Sequence, residues 1–518
     1  MDSDRGSARW LRGIVVALLA VVALATRLPA PWRVEVINDE MYHLESWIRR
    51  YRTDDIAPLF HRQITATRVL DSRQKQWVED LYRSSPLVQR LVCIKNDYGS
   101  FGFSAVAEVI EALSHSSLRA LRLPSVAFAM GTILLAYGLG AALKDRMLGL
   151  WLAAFVTLGP LPQVYAGLGR PHGLTQFALF LVFYRFVLEQ KRNYPSPWRL
   201  WLAALFAQTT HLTCWATVGL LVLCELWRRY RNGASLASLA RQTWWYAAVS
   251  AVFLGIIAVN AVGTSFFSAN TKPTTTLKIW TNFCLASPFS HLARFGVEGL
   301  WLSGLLFGLL MVLGVAILLR SDPSYRGVRG PLLLVAAVAL AVPFKASNEV
   351  RHLMIYGVAP LILAAIGARG LFRSETTALV AVAALLLGLG AIALIDPEDS
   401  YHTIVASETR YSEAADRLAR AMKPGDVWIS WPYFVGVPLY RSHKVPEPLL
   451  PLNEGELEEA LRDRPADRAC FVLTSRDYAE ALRCLRPATT VTGFENGLVI
   501  LKFPPEGRGD PARVEANP

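Results

Sequence analysis

Apolar runs long enough to cross a bilayer recur along this chain as far as residue 395, and no other property restricts its fold so tightly. In hydrocarbon every backbone N–H and C=O must find a partner within the protein, so such runs become helices or a closed barrel. Runs of about 20 residues fit helices. They fall near 11–28, 123–143, 146–166, 171–188, 243–263, 298–319, 330–346, 351–368 and 376–395. The block 197–227 is too long for one crossing and reads as two short helices turning at Thr209-Thr210-His211, which brings the count to eleven. Composition agrees, because 53% hydrophobic and 18% charged residues with a mean hydropathy of +0.31 do not describe a soluble domain of 518 residues.

Basic residues set the orientation, since Lys and Arg in short loops stay on the cytoplasmic side. Arg5, Arg9 and Arg12 place the N-terminus inside. With eleven crossings Lys144/Arg146, Lys191/Arg192, Arg228/Arg229/Arg231/Arg241, Arg320/Arg326/Arg329 and Arg369/Arg373 all fall inside as well. Loops 29–122 and 264–297 and the tail after Asp396 then fall outside. The net charge of +12 is largely this topology signal. It argues against nucleic acid, which calls for a basic patch interleaved with aromatics on a soluble domain.

Phe101 to His115 is apolar enough to imitate a crossing, but Ser104, Glu108, Glu111 and His115 recur at helical spacing opposite Val106, Val109, Ile110 and Leu113. A helix with one wet and one greasy face lies along the interface. The N-terminal apolar run lacks a strong cleavage site and reads as a retained anchor. Of six cysteines none forms a Cys-x-x-Cys pair; Cys470 and Cys484 share the external tail, where a disulfide and two thiols fit the spacing equally.

The chain thus divides into a membrane body to about residue 395 and an extracytoplasmic tail, 396–518. In the tail Ser412–Met422 and Glu454–Arg462 read as helices, and Asp426–Ile429, Cys470–Leu473 and Leu498–Phe503 as strands. That alternation predicts a small α/β domain ending in a disordered Pro/Gly-rich segment. The fold class expected is an all-α polytopic bundle with this appended domain. No internal repeat is visible, so a transporter built on inverted repeats gains no support.

About ten residues beyond the first span stands Asn38-Asp39-Glu40-Met41-Tyr42-His43. A carboxylate pair at the mouth of a bundle serves as a general base, as a hard-metal ligand together with His43, or as a solvated loop or helix N-cap. This stretch resembles the Asp-Glu-x-Tyr signature of GT-C glycosyltransferases of the bacterial protein-mannosyltransferase and aminoarabinose-transferase type. Arg122-Leu-Pro-Ser125, Tyr165 with Arg170-Pro171-His172, and Thr210-His211 resemble further family motifs in the same order, over residues 10–370. Two positions depart. The family's His-Pro-Pro is replaced by Asn96-Asp97-Tyr98-Gly99-Ser100-Phe101, in which Asp97 keeps an acidic group, and His172 stands where the family has Tyr.

The resemblance implies transfer of a sugar from a polyprenyl phosphate to an external lipid, glycan or protein acceptor, with inversion, at an inner membrane. It implies Asp39 as base, Glu40 as a positioning group, and chemistry without a metal cofactor. Guanidinium suits phosphate, so Arg170 and Arg351, both at expected outer helix ends, are the phosphate candidates; snorkelling to headgroups is the other use of such arginines. Asp97 and Tyr42 are candidates for the acceptor or a second acidic site, and Tyr165, His172 and His211 for the pocket. Trp280, Phe283, Phe289 and Phe295 read as a lid or as interfacial anchors. A flippase for a lipid-linked intermediate is the alternative function; it needs the arginines and no base.

Overall fold

The computed structural model describes residues 2–29, 72–84, 101–114, 118–192, 197–211, 213–262, 276–320, 322–341, 357–395, 417–430, 449, 454–462, 468–475, 479, 482, 489–493 and 498–503. The chain divides into two compact units, one helical and one holding a sheet.

The helical unit contains α1 (Asp2–Arg27), α2 (Ser72–Ser84), α3 (Phe101–Ser114), α4 (Leu118–Leu143), α5 (Arg146–Leu158), α6 (Pro160–Ala166), α7 (Pro171–Arg192), α8 (Trp198–Thr210), α9 (Cys214–Arg231), α10 (Leu236–Val262), α11 (Thr276–Ala286), α12 (Val297–Leu319), α13 (Arg329–Ala341), α14 (Val358–Leu371) and α15 (Glu375–Ile395). Within these, Trp10–Arg27, Arg122–Leu143, Val297–Leu319 and Glu375–Ile395 are long and apolar enough to cross a membrane. The pair α5–α6, bent by 61°, makes a fifth if it is one broken span. Helices α7 to α10, α13 and α14 also lie in segments read as crossings, but they do not meet that test of length and composition.

Local chemistry explains the breaks. Asp145 caps α5 by accepting from the Leu148 amide at 2.8 Å, and Pro160 opens α6 where its missing N–H costs nothing. The α8–α9 turn falls at His211, whose Nδ1 bonds Thr213 Oγ1 at 2.8 Å. α9 closes on Gly233, whose φ of 93° favours glycine. Gly314 of α12 and Gly367 of α14 let two backbones touch, since a Cβ on either would collide with the carbonyl of Leu363 or Leu310.

α3 is 14 residues long, about 21 Å as a helix. Phe103 is buried, and a Cβ at Gly102 would stand 2.7 Å from Thr209 Oγ1, while Val109 and Leu113 are exposed. One end of α3 is therefore packed on α8, and Val109 and Leu113 are left uncovered.

One end of this unit is laced by charge. Lys144 pairs with Asp322 at 2.7 Å, Arg369 with Asp145 at 3.0 Å, and Arg12 with Glu375. Lys191 donates to the Leu143 carbonyl at 2.6 Å. Glu225, fully buried, accepts from Arg228 at 2.7 Å, Arg229 at 2.6 Å and Gln190 at 2.8 Å. Arg229 also reaches Glu189 at 3.4 Å.

The second unit holds β1 (Val427–Ser430), α16 (Glu454–Arg462), β2 (Cys470–Ser475), β3 (Thr489–Gly493) and β4 (Leu498–Phe503), with strand order β1-β2-β4-β3. β1 and β2 are parallel, which requires a crossover, and α16 lies in it. β4 runs antiparallel to both neighbours, with a bulge in β3 at Thr490/Thr492. Ile429, Cys470, Val472, Leu501 and Phe503 form a core with Leu457 and Leu461 of α16. β3 was not anticipated, because Thr489-Thr-Val-Thr-Gly493 has one apolar residue and no visible alternation. Cys484 lies outside the described residues.

Candidate functional site

At the end of the helical unit opposite the ion pairs, α5 stops at Leu158, turns through Gly159–Pro160 into the short α6, and reaches α7 through Gly167–Arg170. A helix that stops here presents its last carbonyls without helical partners. Three side chains from different elements meet them. Arg27, from the end of α1, donates through Nη2 to Val156 O at 2.9 Å and to Thr157 O at 3.2 Å, and through Nη1 to Thr157 O at 3.2 Å and Thr26 Oγ1 at 3.0 Å. Gln163 of α6 donates to Thr157 O at 2.9 Å. His291, in the 3₁₀ turn Ser290–Phe295 before α12, hydrogen-bonds the Leu158 backbone. Burial first, and the nearby Arg27 charge to a smaller extent, outweigh the hydrogen bond to Leu158 and lower the His291 imidazole to about 4. It is neutral at pH 7.

Beyond the break the loop tightens. The Arg170 amide donates to Leu168 O at 2.8 Å and Pro171 then starts α7, so Arg170 stands at the N-terminus of a 22-residue helix and is only 9% exposed. A guanidinium beside a helix N-terminus adds a full charge to about half a charge of dipole, an arrangement that attracts anions. Gly173, one turn on, packs against Ser125 of α4; a Cβ there would stand 3.4 Å from Ser125 O. Both Arg122 and Ser125 of that segment are buried.

Three aromatic rings form a ladder next to this corner. Tyr165 and His172 have centroids 4.7 Å apart, and His172 and His211 5.6 Å. Tyr165 is 3% and His172 1% exposed, which makes them the floor of the corner. The structure thus brings together Tyr165, His172 and His211, with Arg170 adjoining through the chain. The elements carrying Arg122-Leu-Pro-Ser125, Arg170-Pro-His172 and Thr210-His211 converge. Asp39, Glu40, Tyr42, His43, Asp97 and Arg351 lie outside the described residues. Among the described residues no group of three His, Cys, Asp or Glu could hold a metal ion.

The aromatic residues read as a lid are mostly packing groups. Trp280 stacks on Phe283 at 5.6 Å, Phe283 meets Phe307 of α12 at 5.2 Å, and Phe289 meets Phe155 of α5 at 5.7 Å. Of the four, Phe295 is the exposed one. Sequence reasoning passed over Arg27, Gln163 and His291. The one signal available was an Arg at the end of the first span, where headgroup contact is the ordinary reading.

By sequence, neither a known protein family nor a curated protein matches the chain. By structure it is similar to ArnT from Cupriavidus metallidurans in the apo state, with a TM-score of 0.54 at 13% identity over 95% of this chain and 98% of that one. It is equally similar to ArnT from the same organism bound to undecaprenyl phosphate, with a TM-score of 0.55 at 11% identity and the same coverage. Likeness over nearly the whole of both chains means that this chain shares the fold of those two structures.

Proposed function

We propose that this protein is an integral-membrane glycosyltransferase that moves a monosaccharide from a polyprenyl phosphate to an extracytoplasmic lipid, glycan or protein acceptor, inverting at the anomeric carbon. The observation that carries the reading is the end-to-end likeness to a structure of ArnT with undecaprenyl phosphate bound. The Arg170 corner supports it, because it offers an anion a buried guanidinium and a helix N-terminus at once. In this reading residues 1–395 form the catalytic body, with eleven crossings and first external loop 29–122, and 396–518 form an extracytoplasmic α/β domain. The ion-paired end then faces the cytoplasm.

The reaction follows from the groups. Asp39 takes the acceptor hydroxyl proton as the oxygen attacks C1, while the bond from C1 to the phosphate oxygen breaks and its electron pair leaves with the phosphate. A single displacement inverts the centre. The departing phosphate monoester gains negative charge, which Arg170 and Arg351 stabilise. In this reading Glu40 serves the acceptor, Asp97 and Tyr42 are candidates for the acceptor or a second acidic site, and Tyr165, His172 and His211 for the pocket.

The test is turnover by full-length purified protein with a lipid-linked sugar donor. Asp39→Asn is expected to lower turnover by about 10² or more while donor binding stays near wild type, since the amide cannot accept the proton. Glu40→Gln should do less. Turnover within a few-fold of wild type would move the base elsewhere, with Asp97 the first candidate. Donor translocation without transfer by the wild type would favour the flippase.

A further inference from the structure

The break between α5 and α6 poses a charge problem that neutral partners do not solve. Arg27 is fully buried, yet every group it donates to is a carbonyl or a hydroxyl, and its Nε has no partner. Among the described residues no carboxylate stands within ion-pair distance of it. A buried ion ordinarily has a counter-ion, because desolvation is costly without one. The C-terminal end of α5 presents only about half a negative charge. Among the described residues about half of the guanidinium charge is therefore uncompensated.

Its location gives that charge a purpose. Arg27 clamps the carbonyls of Val156 and Thr157, the last turn before the 61° bend, and so fixes the direction in which α6 and the Gly167–Arg170 loop depart. Gln163 and His291 hold the same turn without adding charge at pH 7. We infer that Arg27 is a positioning residue for the phosphate of a lipid-linked ligand: it holds the bend that carries Arg170 and supplies a fixed, buried positive charge to a site whose ligand is anionic. The inference rests on the lipid-phosphate reading above. It adds a residue that never touches the ligand and acts through the backbone it clamps and through its field.

Such a charge should be felt most by the form of the phosphate with the most negative charge. A phosphate monoester has a second ionisation near pH 6, and a cation nearby favours the dianion. The experiment uses full-length protein in nanodiscs with undecaprenyl phosphate as the probe. Affinity is measured by titration calorimetry, and the second ionisation of the bound phosphate is followed by the pH dependence of its ³¹P shift. Arg27→Gln keeps amide donors for the two carbonyls and removes the charge; Arg27→Lys keeps the charge and loses the fork. Arg27→Gln is expected to weaken binding on the order of tenfold, the scale of one unit charge acting through the protein at an effective dielectric of about 20. The bound phosphate should then titrate at higher pH than on wild type. Arg27→Lys should restore most of the titration shift.

A structural strut alone would lower affinity without moving the ³¹P titration. Wild-type titration in both variants, or equal affinity in all three proteins, overturns the inference. If Arg27→Gln does not fold, Arg27→Met, which also removes the charge, takes its place: a bound phosphate that titrates at higher pH than on wild type supports the fixed charge, and a wild-type ³¹P titration overturns the inference. Failure of wild-type protein to bind undecaprenyl phosphate at all would instead overturn the lipid-phosphate reading.

Discussion

Glu225 and Arg27 are both completely buried in the helical unit, at opposite ends, and they are treated differently. Glu225 has two guanidiniums and an amide on its oxygens. Around it Asp145, Asp322 and Glu375 each hold a cation from another segment. Arg27 has carbonyls and a hydroxyl. Where the chain supplies both signs it ties helix ends together, and a bound anion would gain little. Where it supplies the buried Arg27 charge and the N-terminus of α7, the proposed reading has an anion from outside complete the arrangement. The fold is fastened at the first end and, in the reading proposed, does its chemistry at the second.

The sharpest way to break this comparison is Glu225→Ala. Removing one partner of a buried ion pair costs about 3–5 kcal/mol, because the remaining charges lose their compensation. The variant is expected to unfold at clearly lower temperature in detergent, with donor affinity per folded molecule unchanged. Thermal unfolding followed by thiol labelling of buried cysteines such as Cys214 measures it. A variant that keeps its stability but loses donor binding would show that the two ends are not separate in role.

The reciprocal change is Arg170→Ala. A hydrogen bond to a charged group contributes about 1.5–3 kcal/mol, so donor affinity should fall by roughly 10- to 150-fold with little change in unfolding temperature. Arg170→Lys should fall between, keeping the charge and losing the planar fork. Equal affinity of all three proteins would return Arg170 to a headgroup contact.

The asymmetry was half legible in the sequence. Helix positions followed from apolar run length, and the break at Thr209-Thr210-His211 from a block too long for one crossing. The motif order pointed to Arg170, His172 and His211 as neighbours. The ion pairs were not legible, since Lys144 and Asp322, or Arg12 and Glu375, are distant in sequence and only packing decides which loops share an edge. Arg27 was passed over for the same reason. An arginine ending a hydrophobic span normally reaches headgroups, and nothing in Ala25-Thr-Arg-Leu28 announces that the carbonyls of Val156 and Thr157 will be folded onto it. Trp280, Phe283 and Phe289 suggested a lid, because aromatic content does not distinguish a mobile cover from a helix packed on α12 and α5.

The smallest expected effect, Asp322→Asn, separates the two ends by pH. The hydrogen bond from Lys144, with help from the Ser324 amide, holds the Asp322 carboxyl below its ordinary value. A carboxylate whose folded pKa is depressed contributes stability that is fully present above its unfolded pKa and is lost as pH falls through the folded one. At pH 7 the whole contribution is in place, and because the pair is part-exposed it should amount to about 0–1 kcal/mol. Asp322→Asn should therefore unfold slightly earlier than wild type at pH 7, and the gap should close as pH falls from about 5 to below the folded pKa, where wild type too has lost the charge. Thermal unfolding of both proteins along one pH series reads the difference directly and cancels every other titrating group. Arg170→Ala should show no such closing gap in stability. A gap that stays constant from pH 7 to 3 would mean that Asp322 acts through packing and not through its charge, and the ion-paired end would lose one of its ties.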